Sequence, residues 1–193
     1  MRLLLASFAL ALLAVDASAQ QVTLRGQVED VAGGGFFVDC TDTTLTSSTV
    51  DLNAFNGQQV ELSGTWNGSS VAPNVDVAAI AAVAKLFEVG GGGKLGDELR
   101  LKVTSNPGDV AIMFVALDDG FLPAHKNGVL LLDFATMLHV ATGTVAGDGT
   151  FEVKGTIPND PALDGLVVHG QSFVAFTGGG AVLSNPDCVT LHS

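Results

Sequence analysis

Short runs in which apolar and polar residues strictly alternate, each stopped by a glycine or proline turn, constrain this chain more than any other feature. Leu99, Leu101 and Val103 fall on one side of such a run and Arg100, Lys102 and Thr104 on the other. After Asp148-Gly149, Phe151, Val153 and Ile157 alternate in the same way with Glu152, Lys154 and Thr156. A period of two places every second side chain on one face of a strand, so each run describes a β-strand with one face buried and one wet. The expected fold class is all-β.

The chain changes texture between Lys85 and Gly96, where Gly90 to Gly93 form a candidate flexible linker, or alternatively the tip of a long hairpin. This divides it into residues 20–85 and 86–193. In the first half, Val22, Leu24 and Gly26 alternate with Thr23, Arg25 and Gln27. A Gly33-Gly34-Gly35 turn leads to Phe36 through Cys40, a polar strand is expected around Thr44 to Leu52, and two more at Val60 to Trp66 and Val75 to Val83. Five strands in so short a span suit a small closed barrel, because closure removes the exposed edges of a small sheet. In the second half, expected strands lie at Leu99 to Val103, Val110 to Leu117, Val129 to Leu132, His139 to Val145, Thr150 to Ile157, Leu166 to Phe176, Ala181 to Ser184 and Cys188 to Leu191. That number at that spacing predicts an antiparallel two-sheet β-sandwich.

Two resemblances follow from particular residues. The run Leu52 to Thr65, with Phe55-x-Gly57-x-x-Val60-x-x-x-Gly64-Thr65, resembles the centre of secreted bacterial OB-fold domains, which implies an OB-like five-stranded barrel. OB-folds bind oligonucleotides or sugars on a strand face. The second half resembles a β-domain repeated in secreted proteins of planctomycetes and related bacteria. Its landmarks are Gly96 with Leu99 and Leu101, Pro107-Gly108, Leu130 to Asp133, Gly147-Asp148-Gly149, Ile157 to Leu163, Gly165 to Gln171 and Leu183-Ser184-Asn185. That likeness implies an accessory or surface module and brings no catalytic residues with it.

Residues 1–19 have the form of a secretory signal peptide: Arg2, an apolar run from Leu3 to Val15, then Ala17-Ser18-Ala19 as small residues for cleavage. The expected location is secreted or periplasmic, with no membrane span after cleavage. The uncharged stretch from Gly165 to Pro186 is broken by glycines and predicts paired strands, not a span. Losing Arg2 and Asp16 leaves the net charge at −12. Nucleic acid is therefore not an expected partner, since a phosphate backbone needs a basic footprint.

No serine lies in a Gly-x-Ser-x-Gly elbow. His125, His139, His169 and His192 are too far apart in sequence for a short metal motif, so no catalytic residue, cofactor or metal is expected. Asp118-Asp119-Gly120 and Asp148-Gly149 suit turns better than calcium loops. Asn67-Gly68-Ser69 fits a glycosylation acceptor, but the bacterial resemblance implies a chance turn instead. Cys40 and Cys188 would meet an oxidising compartment after export. Either they form one disulfide between the halves, worth roughly 4 to 5 kcal/mol in the chain-entropy account, or they remain buried thiols.

Two functional classes stay open on these grounds. One is a non-catalytic envelope or extracellular module that contacts other proteins or serves surface architecture. The other is a module binding a small ligand or glycan on the barrel face around Phe36, Phe37 and Trp66, aromatics that would otherwise be core and turn plugs.

Overall fold

A computed structural model describes residues 20–31 and 34–193; the expected signal peptide at 1–19 and Gly33 of the glycine turn lie outside the described residues. The first five strands are β1 (Gln20–Asp30), β2 (Phe36–Val38), β3 (Thr44–Thr46), β4 (Gln59–Trp66) and β5 (Asn74–Ala82). They close into a barrel in the order β1-β2-β3-β5-β4, antiparallel except where β3 runs parallel to β5. The alternation is realised residue by residue. Val22, Leu24, Gly26 and Val28 of β1 point inward with Val60 and Leu62 of β4 and Val75 and Val77 of β5. Gly26 leaves room for Val38, whose side chain occupies the space a Cβ there would need.

The second half holds ten strands, two more than the alternation predicts: β6 (Phe87–Gly90), β7 (Glu98–Thr104), β8 (Val110–Ala116), β9 (Asp119–Pro123), β10 (Val129–Leu132), β11 (Leu138–Thr144), β12 (Thr150–Thr156), β13 (Val167–Ala175), β14 (Ala181–Leu183) and β15 (Asp187–Thr190). A three-stranded sheet, β12-β7-β6, faces a five-stranded one, β11-β8-β13 with β14 and β15 both on the far edge of β13. Phe87, Leu101 and Val103 from the first sheet pack against Ala111, Met113 and Val174 from the second, which makes the expected antiparallel sandwich.

Three local expectations are corrected. Gly90 to Gly93 do not link two domains: Gly90 ends β6 and the next three glycines turn the β6–β7 hairpin, while the chain leaves the barrel over residues 83–86. The strand expected at Thr44 to Leu52 stops at Thr46, because the Ser47 hydroxyl accepts from the Thr49 and Val50 amides and Asp51 caps a 3-10 turn at Leu52–Phe55. Asp119-Gly120 opens β9 instead of a turn, and Gly120 is needed there because a Cβ would meet the Leu132 backbone of β10.

The β9–β10 ribbon is the piece that joins the halves. Phe121, Val129 and Leu131 belong to the barrel's core, whereas Leu130 and Leu132 pack with Ala116 and Leu183 of the sandwich. Every residue of β10 is buried, consistent with a strand covered on both faces. Gln171 of β13, itself fully buried, fixes the ribbon in place. Its Nε2 donates to the Val129 and Ser184 carbonyls at 3.1 and 2.8 Å, and its Oε1 accepts from the Leu131 amide at 2.8 Å. Replacing Gln171 with Leu would leave three buried backbone groups without partners, so Gln171→Leu is expected to lower unfolding free energy by about 3 kcal/mol or more, read as a fall in urea midpoint with unchanged slope.

Candidate functional site

The first site to consider is the junction around the cysteines. A disulfide joins Cys40, in the turn after β2, to Cys188 of β15, with Cα atoms 5.6 Å apart and 148 positions between them in sequence. Cys40 adopts a left-handed backbone with φ of 62° and its carbonyl lies 3.0 Å from His169 Nδ1, which places the ring proton on Nδ1. His169 is the cross-strand neighbour of Cys188. Nearby, the Asp119 carboxylate accepts from the Asp42 amide at 2.6 Å, which ties the barrel turn to the β9–β10 ribbon. Histidine, carboxylate and cysteine sulfur are thus all present, but the sulfurs are bonded to each other, so neither is a free thiolate.

The remaining histidines are scattered. His125 sits in an exposed turn, His139 pairs its Nε2 with the Thr142 hydroxyl at 2.9 Å, and His192 is exposed near the C-terminus. Among the described residues no group of three or more His, Cys, Asp or Glu side chains is placed to hold a metal ion. No helix among them is long and apolar enough to cross a membrane. Asp148 serves its turn, accepting from the Thr150 amide and hydroxyl, and Asn67 does likewise with the Ser69 and Asn74 amides.

The structure does not bring the three ligand-candidate aromatics together. Phe36 pairs with Asp30 at one end of β1 and Trp66 with Gln20 at the other. Adjacent residues of a strand face opposite ways, so Phe36 and Phe37 point apart, and Phe36 packs on the barrel core. Trp66 stacks on Phe121 with ring centroids 5.0 Å apart and donates its Nε1 proton to the Ser69 carbonyl at 3.0 Å. Its role is to seat the β9–β10 ribbon against the barrel. A flat aromatic platform for a sugar is absent from these residues.

What the sequence reasoning missed is an exposed apolar corner. Among the described residues β11 pairs only with β8, which leaves its other edge without a strand partner. Leu117, Phe134, Leu138 and Val140 are all exposed where that strand begins, Phe134 by 70% and Leu138 by 65%. The corner is held by Asp133, which accepts from the Ala135 and Thr136 amides, and by the Leu117 amide donating to the Thr136 hydroxyl. The available signal was Leu138 and Val140 beside an unpaired strand, which only the sheet order reveals. Neither a protein-family model nor a curated protein matches the sequence.

Three aspartates are held below the ordinary carboxylate range and a fourth is pushed above it. Asp109 is held low by hydrogen bonds from the Ser105 hydroxyl and then the Thr177 amide, Asp133 by the Ala135 amide, and Asp148 by the Thr150 amide. Their contribution is present above the ordinary aspartate range and is lost as pH falls through the lowered folded values. Asp119 is pushed the other way, chiefly by burial, against the Asp42 amide and His169. In its case the unfolded chain ionises first as pH rises, so folding loses free energy across that interval. Asp119→Asn, which keeps an acceptor for the Asp42 amide, is expected to raise Tm at pH 7, with the gain vanishing below the ordinary aspartate range in a Tm-against-pH series.

The chain-entropy account assigns about 5 kcal/mol to a bridge across so long a loop. The double variant Cys40→Ser, Cys188→Ser is expected to lose stability of that order in urea unfolding, and dithiothreitol to produce the same loss in the parent protein but none in the variant.

Proposed function

We propose that this chain is a non-catalytic module, secreted or held in the cell envelope, that acts by contacting another protein along the free β11 edge. The observation that carries the reading is the apolar corner itself. Natural sheets blunt their edges with charge, proline or a covering segment, whereas the start of β11 offers Leu138 and Val140 with Phe134 and Leu117 beside them. An apolar patch joined to an unpaired edge suits addition of an extended segment from a partner, with main-chain hydrogen bonds giving affinity and apolar side chains giving specificity. The disulfide supports an oxidising compartment. The excess of acids argues against nucleic acid as the partner.

The test is affinity capture from the envelope fraction, comparing the parent protein with Leu138→Lys and Phe134→Ser variants of unchanged Tm. The expected result is a partner retained by the parent and reduced about tenfold or more by either substitution, as loss of a buried apolar anchor requires. Equal retention by all three proteins, or none by the parent, would remove the reading.

A further inference from the structure

The two sheets of the sandwich meet at one end and gape at the other. Near the start of β12 the Phe151 ring lies against Gly143 of β11 so closely that a Cβ at 143 would overlap it, and here the sandwich is shut. The same inward-facing row of β12 continues through Val153 to Gly155, which stands opposite Leu99. At Gly155 an added Cβ would meet nothing within 4 Å. Gly155 is also outside the left-handed region, so its backbone accepts any side chain. The core row therefore ends in an absent side chain that neither space nor backbone geometry requires to be absent.

Behind Gly155 lies a cleft of about 270 Å³ between the sheets, walled by Leu99, Leu101, Val115, Val140, Val168 and Leu191 and partly open to solvent. An ordered water needs two to four polar partners, and these walls offer aliphatic carbon. An engineered apolar cavity of only ~150 Å³ stays dry and takes up benzene. The larger void here has a mouth as well. Its rim includes Lys154 and Thr156, which lie on the opposite face of β12 from Val153 and Gly155. The Lys154 ammonium is 3.3 Å from both Glu98 and Glu152, so the one cation at the rim is already met by two carboxylates. An anionic head group would find no free counter-charge and would face a chain of net charge −12.

We propose that this cleft is a binding site for a neutral small molecule bearing a hydrocarbon chain or ring, its apolar part between the sheets and any polar end at the Lys154–Thr156 rim. The specificity is set by shape and by charge: the walls select hydrocarbon and the rim rejects a carboxylate. The site is separate from the three aromatics of the barrel and does not depend on a protein partner.

The test titrates the purified protein with N-phenyl-1-naphthylamine, a neutral fluorophore, and displaces it with 1-decanol or decanoate. The expected result is saturable one-site binding, displaced by decanol at a concentration about tenfold or more below that needed for decanoate. Gly155→Leu, which occupies part of the cavity behind it, is expected to weaken dye binding about tenfold or more without lowering Tm. Gly155→Ala gives an intermediate loss and serves if the larger substitution does not fold. Phe134→Ser leaves binding unchanged, which separates the cleft from the exposed corner. Absence of saturable binding, undiminished binding by both Gly155 variants, or loss of binding in Phe134→Ser would overturn the site; displacement by decanoate as good as by decanol would overturn its preference for neutral ligands.

Discussion

Two buried amide side chains, Gln171 and Asn185, bear the weight of this structure, because they satisfy backbone groups at the places where sheets stop and no strand is available to continue them. Gln171 holds the β9–β10 ribbon to β13. Asn185 does the equivalent for β6: its Oδ1 accepts from the Leu86 and Phe87 amides at 2.9 and 3.1 Å, and its Nδ2 donates to the Phe87 carbonyl at 2.8 Å. Asp187 extends the tie, accepting from the Val89 amide and pairing with Lys85, both at 2.8 Å. A buried backbone group left unpaired costs about 1 to 3 kcal/mol, so two side chains that each serve three or four such groups decide whether the sheets can be buried at all.

From that constraint the rest of the architecture follows. With the ribbon fixed, Phe121, Val129 and Leu131 complete the barrel core and Trp66 has a ring to stack on. The barrel is thus finished by residues from the other half of the chain, and the disulfide and the Cys40–His169 hydrogen bond lock the same junction. The edge of the sandwich at β6 and β15 is closed by Asn185 and Asp187. At the opposite edge, among the described residues, no buried amide side chain ties β11 to β12. The exposed apolar corner and the cleft behind Gly155 both lie there, and Val140 is common to them.

Legibility from sequence tracked how far each element's pattern is local. Strands β1, β4 and β7 announce themselves because one face is wet and alternation is complete. β6 and β9 do not. Four residues beside a glycine run carry too little period to recognise, and Asp119-Gly120 has the chemistry of a turn until β10 approaches Gly120. Gly155 likewise reads as a weak strand position; that its Cβ site opens on empty space depends on Leu99 and Val115 from two other strands and on Leu191 just after β15.

The amino-acid sequence by itself determined the all-β class, the five-stranded barrel followed by a sandwich, and the acidic charge, since alternation, turn residues and composition act within a few neighbouring positions. Only the tertiary structure decided that the halves share a core, that Cys40 reaches Cys188, that the barrel aromatics are scattered, and that one sandwich edge is left open. Each of these depends on which strands lie side by side, a matter of contacts between distant segments; Gln171 and Asn185 make such contacts, and their short-range pattern is silent about their partners.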